Sequence, residues 1–129
     1  MNPITISAIP DNGVIDIFLG TKFNGYVGII DISLPQVDTE TTIVSISCDQ
    51  VDSTCYNRKR LLRLFSNTNS NDYTTHQFSQ IMYYKLDSSD YKLTIRLSDQ
   101  EGPLTFKHLQ PVVMTLNMQP DRPKKWINI

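Results

Sequence analysis

His76 and His108 are the most versatile acid–base groups in this chain, and neither sits in a spacing that supports catalysis. His76 follows Thr74-Thr75 beside a predicted strand, and His108 lies in a predicted loop after Phe106. Both read as surface or hydrogen-bonded loop residues. A Gly-x-Ser-x-Gly elbow, a glycine-rich phosphate loop, His-Glu-x-x-His and Cys-x-x-Cys are all missing. Cys48 and Cys55, with six residues between them, share no recognised ligand spacing with the histidines, so no metal site is expected. Two reduced, half-buried thiols in a reducing compartment are the favoured reading, with a bridge between them left open. Asp31, Asp49, Asp52, Asp87, Asp90, Asp99 and Glu101 fall at predicted strand ends and turns, where Asp serves local backbone hydrogen bonds. A glycosidase pair would need a pocket, and so small a chain has no insertion to build one. The chain therefore reads as non-enzymatic, with no catalytic residue, cofactor or metal assigned.

Two basic clusters offer binding chemistry instead: Arg58-Lys59-Arg60 with Arg63, and Arg122 with Lys124-Lys125 beside Trp126. Contact with phosphates needs several such groups on one face. Arg58, Lys59, Arg60 and Arg63 are the candidate anion or nucleic-acid contact, set against a plainer reading as the solvated side of a strand and its entry turn. Residues 119–129 form an expected extended tail in which Pro120 and Pro123 oppose regular pairing. Its Trp126, Ile127 and Ile129 need cover, either on their own domain or on a neighbouring subunit. They are the candidate oligomer interface.

These groups must be positioned by one domain. A chain of 129 residues, 40% hydrophobic, buries roughly two thirds of the surface its unfolded form exposes. Its formal net charge of -1 provides no global field toward nucleic acid or an anionic membrane, so partner choice must be local. The N-terminal residues lack a basic stretch followed by an apolar one, and no run approaches roughly 18 apolar residues. Neither a signal peptide nor a membrane span is expected.

Runs rich in Val, Ile, Thr, Tyr and Phe recur between turn residues, the signature of strands. Ile4 to Ile9 alternates, Pro10-Asp11-Asn12-Gly13 supplies a turn, and Val14 to Leu19 is expected to close a hairpin. Tyr26 to Leu34 reads as a long strand stopped by Pro35, and Thr42 to Cys48 again has period two. Arg58 to Phe65 has helix-forming residues but is short and lies between turn-rich segments, so it is read as a strand. Gln77 to Leu86, Tyr91 to Ser98, Val112 to Met118 and a short Leu104 to Phe106 complete the set. About eight or nine strands at ~8–12-residue spacing predict an all-β, antiparallel two-sheet β-sandwich. Long loops between long strands favour a single jelly roll over residues 1–118.

The segments Gly25 to Pro35, Ile43 to Val51, Arg60 to Phe65, Phe78 to Tyr84, Leu93 to Phe106 and Val112 to Met118 carry a family likeness. Together the string resembles the small single jelly-roll capsid proteins, of minor or penton type, of Polinton/Maverick-like elements and related double-stranded DNA viruses. The resemblance implies a structural virion protein, assembled in a reducing host compartment, whose partners are copies of itself and other capsid proteins. It implies no catalytic residue. The alternative is a receptor- or carbohydrate-binding module in which Tyr56, Tyr73, Tyr83 or Tyr84 stack on a ligand.

Overall fold

The computed structural model describes residues 3–52, 60–86 and 91–120. Among them are ten strands and no helix: β1 (Pro3–Ala8), β2 (Val14–Phe18), β3 (Gly25–Pro35), β4 (Thr41–Cys48), β5 (Leu61–Thr68), β6 (Tyr73–Gln77), β7 (Tyr84–Lys85), β8 (Lys92–Asp99), β9 (Gly102–Pro103) and β10 (Val112–Pro120). One antiparallel sheet has the order β1-β10-β3-β6, with β7 also on β3; the other has β2-β8-β4-β5, with β9 on β8. The two sheets make the antiparallel sandwich, with jelly-roll order, that the alternation predicts.

Period two explains which side chains meet between the sheets. Ile15 and Ile17 of β2, Val44 and Ile46 of β4, and Leu93, Ile95 and Leu97 of β8 are buried on one side. Val27, Ile29, Ile32 and Leu34 of β3 face them with Val112, Met114, Leu116 and Met118 of β10. On β3 the buried set changes phase, since Ile29 and Ile32 are three apart. A bulge absorbs the difference: Thr115 pairs with Asp31 and Leu116 with Ile29, leaving Ile30 unmatched in that ladder. Both halves of the long strand thereby reach the same core.

Several local expectations are corrected. The Asn12-Gly13 turn forms, with Asn12 at φ 53° and Gly13 at φ 78°, and Asp11 and Val14 exchange both backbone hydrogen bonds across it. This is the geometry of a two-residue hairpin loop. Yet the pairing ends there, because β1 joins β10 and β2 joins β8. The expected strand from Gln77 to Leu86 is replaced by β6, which ends at Gln77, and the short β7; residues 78–83 cover the sheet. The short strand expected at Leu104 to Phe106 lies at Gly102–Pro103, with Phe106 making one bridge to Val37. Strand β10 runs on through Gln119 and Pro120, which pair with Tyr26 and Gly25.

Candidate functional site

Four connections meet at one end of the sandwich: those following β1, β3, β5 and β9. Backbone hydrogen bonds tie them together, from Asp38 N–H to the Thr105 carbonyl (3.0 Å), Lys107 N–H to Gln36 (2.9 Å) and Asn69 N–H to Glu40 (2.9 Å). The Gln36 amide adds bonds to the carbonyls of Ser70 (3.2 Å) and Asn71 (2.8 Å), and the Tyr73 hydroxyl donates to Pro111 (2.7 Å). With so many non-local bonds these loops form a braced rim. Gly13 belongs to it because a Cβ there would lie 2.6 Å from the Leu97 carbonyl oxygen.

Within the rim lies a trough of about 340 Å³ whose apolar walls include Ile9, Pro10, Leu104, Phe106 and Leu109. Leu109 is 83% exposed and Ile9 49% exposed, a large apolar area to leave in water. The same four connections and the β8–β9 turn carry Asp11, Asp38, Glu40, Asp72, Asp99 and Glu101 against Lys107 alone. This end is acidic around an apolar floor. The opposite end holds the Val51–Leu86 bridge, the Cys48–Arg60 backbone bond and the Pro120–Gly25 pair, from which residues 121–129 continue.

Of the residues expected to carry function, Arg58, Lys59, Trp126, Ile127 and Ile129 lie outside the described residues, as do Cys55 and Tyr56. Arg60 and Arg63 are described, and they do not converge on one contact. Arg60 Nε donates to the Val51 carbonyl (3.1 Å), whereas Arg63 Nη1 donates to Gln80 (2.8 Å) and its guanidinium lies 4.4 Å from the Phe78 ring centroid. Both charges are used to hold chain segments.

Several other titratable groups are likewise occupied. His76, half-buried on β6, bonds through Nε2 to Asn67 Oδ1 (2.8 Å) and packs on Phe65, and burial lowers its pKa. Burial pushes the Cys48 thiol up to about 11, which keeps it protonated and a poor nucleophile or ligand. Arg96 grips Asp49 with two bonds (2.8 and 2.9 Å), holding that carboxyl below its ordinary range. Asp99 Oδ1 accepts the N–H groups of Glu101 and Gly102 in the β8–β9 turn. Exposed His108 lines the trough. Among the tyrosines, Tyr83 accepts from Asn117 Nδ2 (2.9 Å) and Tyr84 donates weakly to Met82 Sδ (3.9 Å).

Pattern reading missed the trough because its walls come from two segments, 9–13 and 104–110, that are distant in sequence and carry no period. The available signal was a set of large apolar residues, Ile9, Phe106 and Leu109, inside turn-forming stretches. No helix among the described residues is long and apolar enough to cross a membrane. The chain matches no family model and none of the curated proteins.

Proposed function

We propose that this chain is a structural protein of a viral capsid or capsid appendage, acting by self-association through its loops and C-terminal segment. The observation that carries the reading is the apolar trough on a braced loop rim: a jelly-roll frame presents Leu109 and Ile9 to water at one end. Covering a large aliphatic side chain contributes about 1.5–3 kcal/mol, and a closed assembly repeats that gain at every subunit boundary. The rim needs no rearrangement to present this surface. The reading places assembly in a reducing host compartment before incorporation into a virion, as the sparse cysteine usage suggests. Nucleic-acid contact is the weaker part of the reading, since Arg60 and Arg63 already donate to backbone carbonyls.

Sedimentation velocity over a hundredfold concentration range, followed by electron microscopy of the heaviest species, tests the reading. Rings, trimers or closed shells are expected. A strict monomer throughout the range overturns it.

A further inference from the structure

We infer that the trough at the loop end receives residues 121–129 of a second copy, joining subunits head to tail. The inference rests on the self-assembly reading and supplies its acceptor. Two independent features carry it, complementarity and reach.

The segment 121–129 reads Asp-Arg-Pro-Lys-Lys-Trp-Ile-Asn-Ile, placing three cations immediately before three large apolar residues. The trough offers the matching arrangement. Its floor is built by Leu104 and Phe106 with Ile9 and Leu109 at the lip; Lys107 is the charged residue of the lining itself, and the six carboxylates named above lie on the loops and turn around it. A cavity of about 340 Å³ falls in the size range of sites that take an organic ring, so it has room for the Trp126 indole. Arg122, Lys124 and Lys125 would then lie over the acidic rim, where opposite charge steers docking and fixes its direction.

Reach decides whose Trp126 enters. Strand β10 begins at Val112, two residues after the trough's Gln110, and its nine residues carry the chain to Pro120 at the far end. At a rise of about 3.3 Å per residue this span is ~26 Å. Trp126 lies six residues past Pro120, so even fully extended it travels at most ~22 Å. Its Cα falls short of its own trough, and the length of the indole side chain is taken up in turning round the end of the sandwich. A neighbour placed end to end meets no such limit. Because donor and acceptor are different surfaces, the contact is heterologous and propagates to a ring or a filament.

A second trough, of about 320 Å³, lies on the outer face of β4, β5 and β8 among Ile43, Leu61 and Leu64. Its lining pairs exposed Ile43 and Leu64 with the carboxylate of Asp99, so it stands as a rival acceptor that the test must separate.

The test uses full-length chains in sedimentation velocity: the natural sequence, Leu109→Arg, Trp126→Ala, and an equimolar mixture of these two variants. Leu109 is so exposed that its substitution should leave the circular dichroism melt unchanged. Each variant alone is expected to self-associate at least about tenfold more weakly. In the mixture, the intact segment of one variant meets the intact trough of the other, giving a dimer and nothing larger. Normal assembly of Leu109→Arg beside failure of Trp126→Ala would place the acceptor elsewhere, overturning the inference while sparing self-assembly. Loss in both variants with no dimer in the mixture overturns the head-to-tail geometry, and normal assembly of Trp126→Ala overturns the donor. If the natural chain is itself monomeric, inference and parent reading fall together.

Discussion

The side chain of Asn69 serves the backbone of Val37 as a neighbouring strand would: Nδ2 donates to the Val37 carbonyl at 2.8 Å, and Oδ1 accepts the Val37 N–H at 3.1 Å. Both residues are buried, and the bond joins the connection after β5 to the one after β3. Asn67 and His76 extend the polar group beneath, with Asn67 Nδ2 at 3.5 Å from Asn69 Oδ1. The rim around the trough therefore depends on a buried amide.

Asn69→Ala should cost about 2–4 kcal/mol, because two buried backbone groups of Val37 lose their partners at once. Urea unfolding measures this directly. A loss below about 0.5 kcal/mol would mean that the rim does not depend on the clamp.

His76 should make stability depend on pH. Burial disfavours its charged form, so the folded chain holds this proton less tightly than the unfolded chain, whose value is near 6.5. Stability from this group is complete above that value and declines as pH falls below it, levelling off once folded His76 is itself protonated. The urea midpoint should be lower at pH 5.5 than at pH 7.5, and His76→Gln should flatten that difference. An unchanged slope in the variant would assign the effect to other groups.

The Asp49–Arg96 pair should matter little in spite of its two good bonds, since the side chains are 40% and 53% exposed. A double-mutant cycle with Asp49→Asn and Arg96→Gln is expected to return less than about 1 kcal/mol, shrinking with added salt. Asp49 has a lowered pKa, so whatever it contributes is present above the ordinary value of 3.8 and vanishes as pH falls through the folded one. A coupling above about 2 kcal/mol would contradict this.

Gly28→Ala should displace residues 78–83. A Cβ there would come within 2.6 Å of Ile81 Cγ2, 3.0 Å of the Met82 carbonyl oxygen and 3.1 Å of Tyr83 Cδ1. The expected loss is about 1–3 kcal/mol, with faster amide exchange across 78–83 and weakening of the Tyr83–Asn117 bond. Asn117 Oδ1, buried and without a partner among the described residues, leaves that amide little else to hold it. A variant that melts and exchanges like the natural chain would show that the cover yields freely.

Much of the sandwich was legible because its strands alternate. Leu93, Ile95 and Leu97 point inward as their spacing requires, and Ile32 and Leu34 do the same. The misreadings have physical causes. Phe78 to Tyr84 has the apolar content of a strand, but Gly28 leaves a bare patch on which Ile81 and Tyr83 lie, so that content covers a sheet instead of pairing within it. The more polar Tyr73–Gln77 pairs because it lies at the edge, beside Asp31 to Pro35. Asn12-Gly13 specifies its turn locally, whereas the partners of β1 and β2 are chosen by distant strands. The trough depends on just such distant choices, and nothing periodic announces it.

The pairing of β1 with β10 also bears on how the molecule comes into being. Pro3 lies opposite Asn117, and Ala8 opposite Val112. On a ribosome adding about 5–20 residues per second, the first strand waits several seconds for the strand that will hold it. During that interval β3 also lacks β10, its neighbour along most of its length, so an edge rich in Ile and Val stands open. Nascent chains on crowded polysomes are thus prone to stick to one another until β10 has been made and has left the ribosome, when it closes both gaps at once.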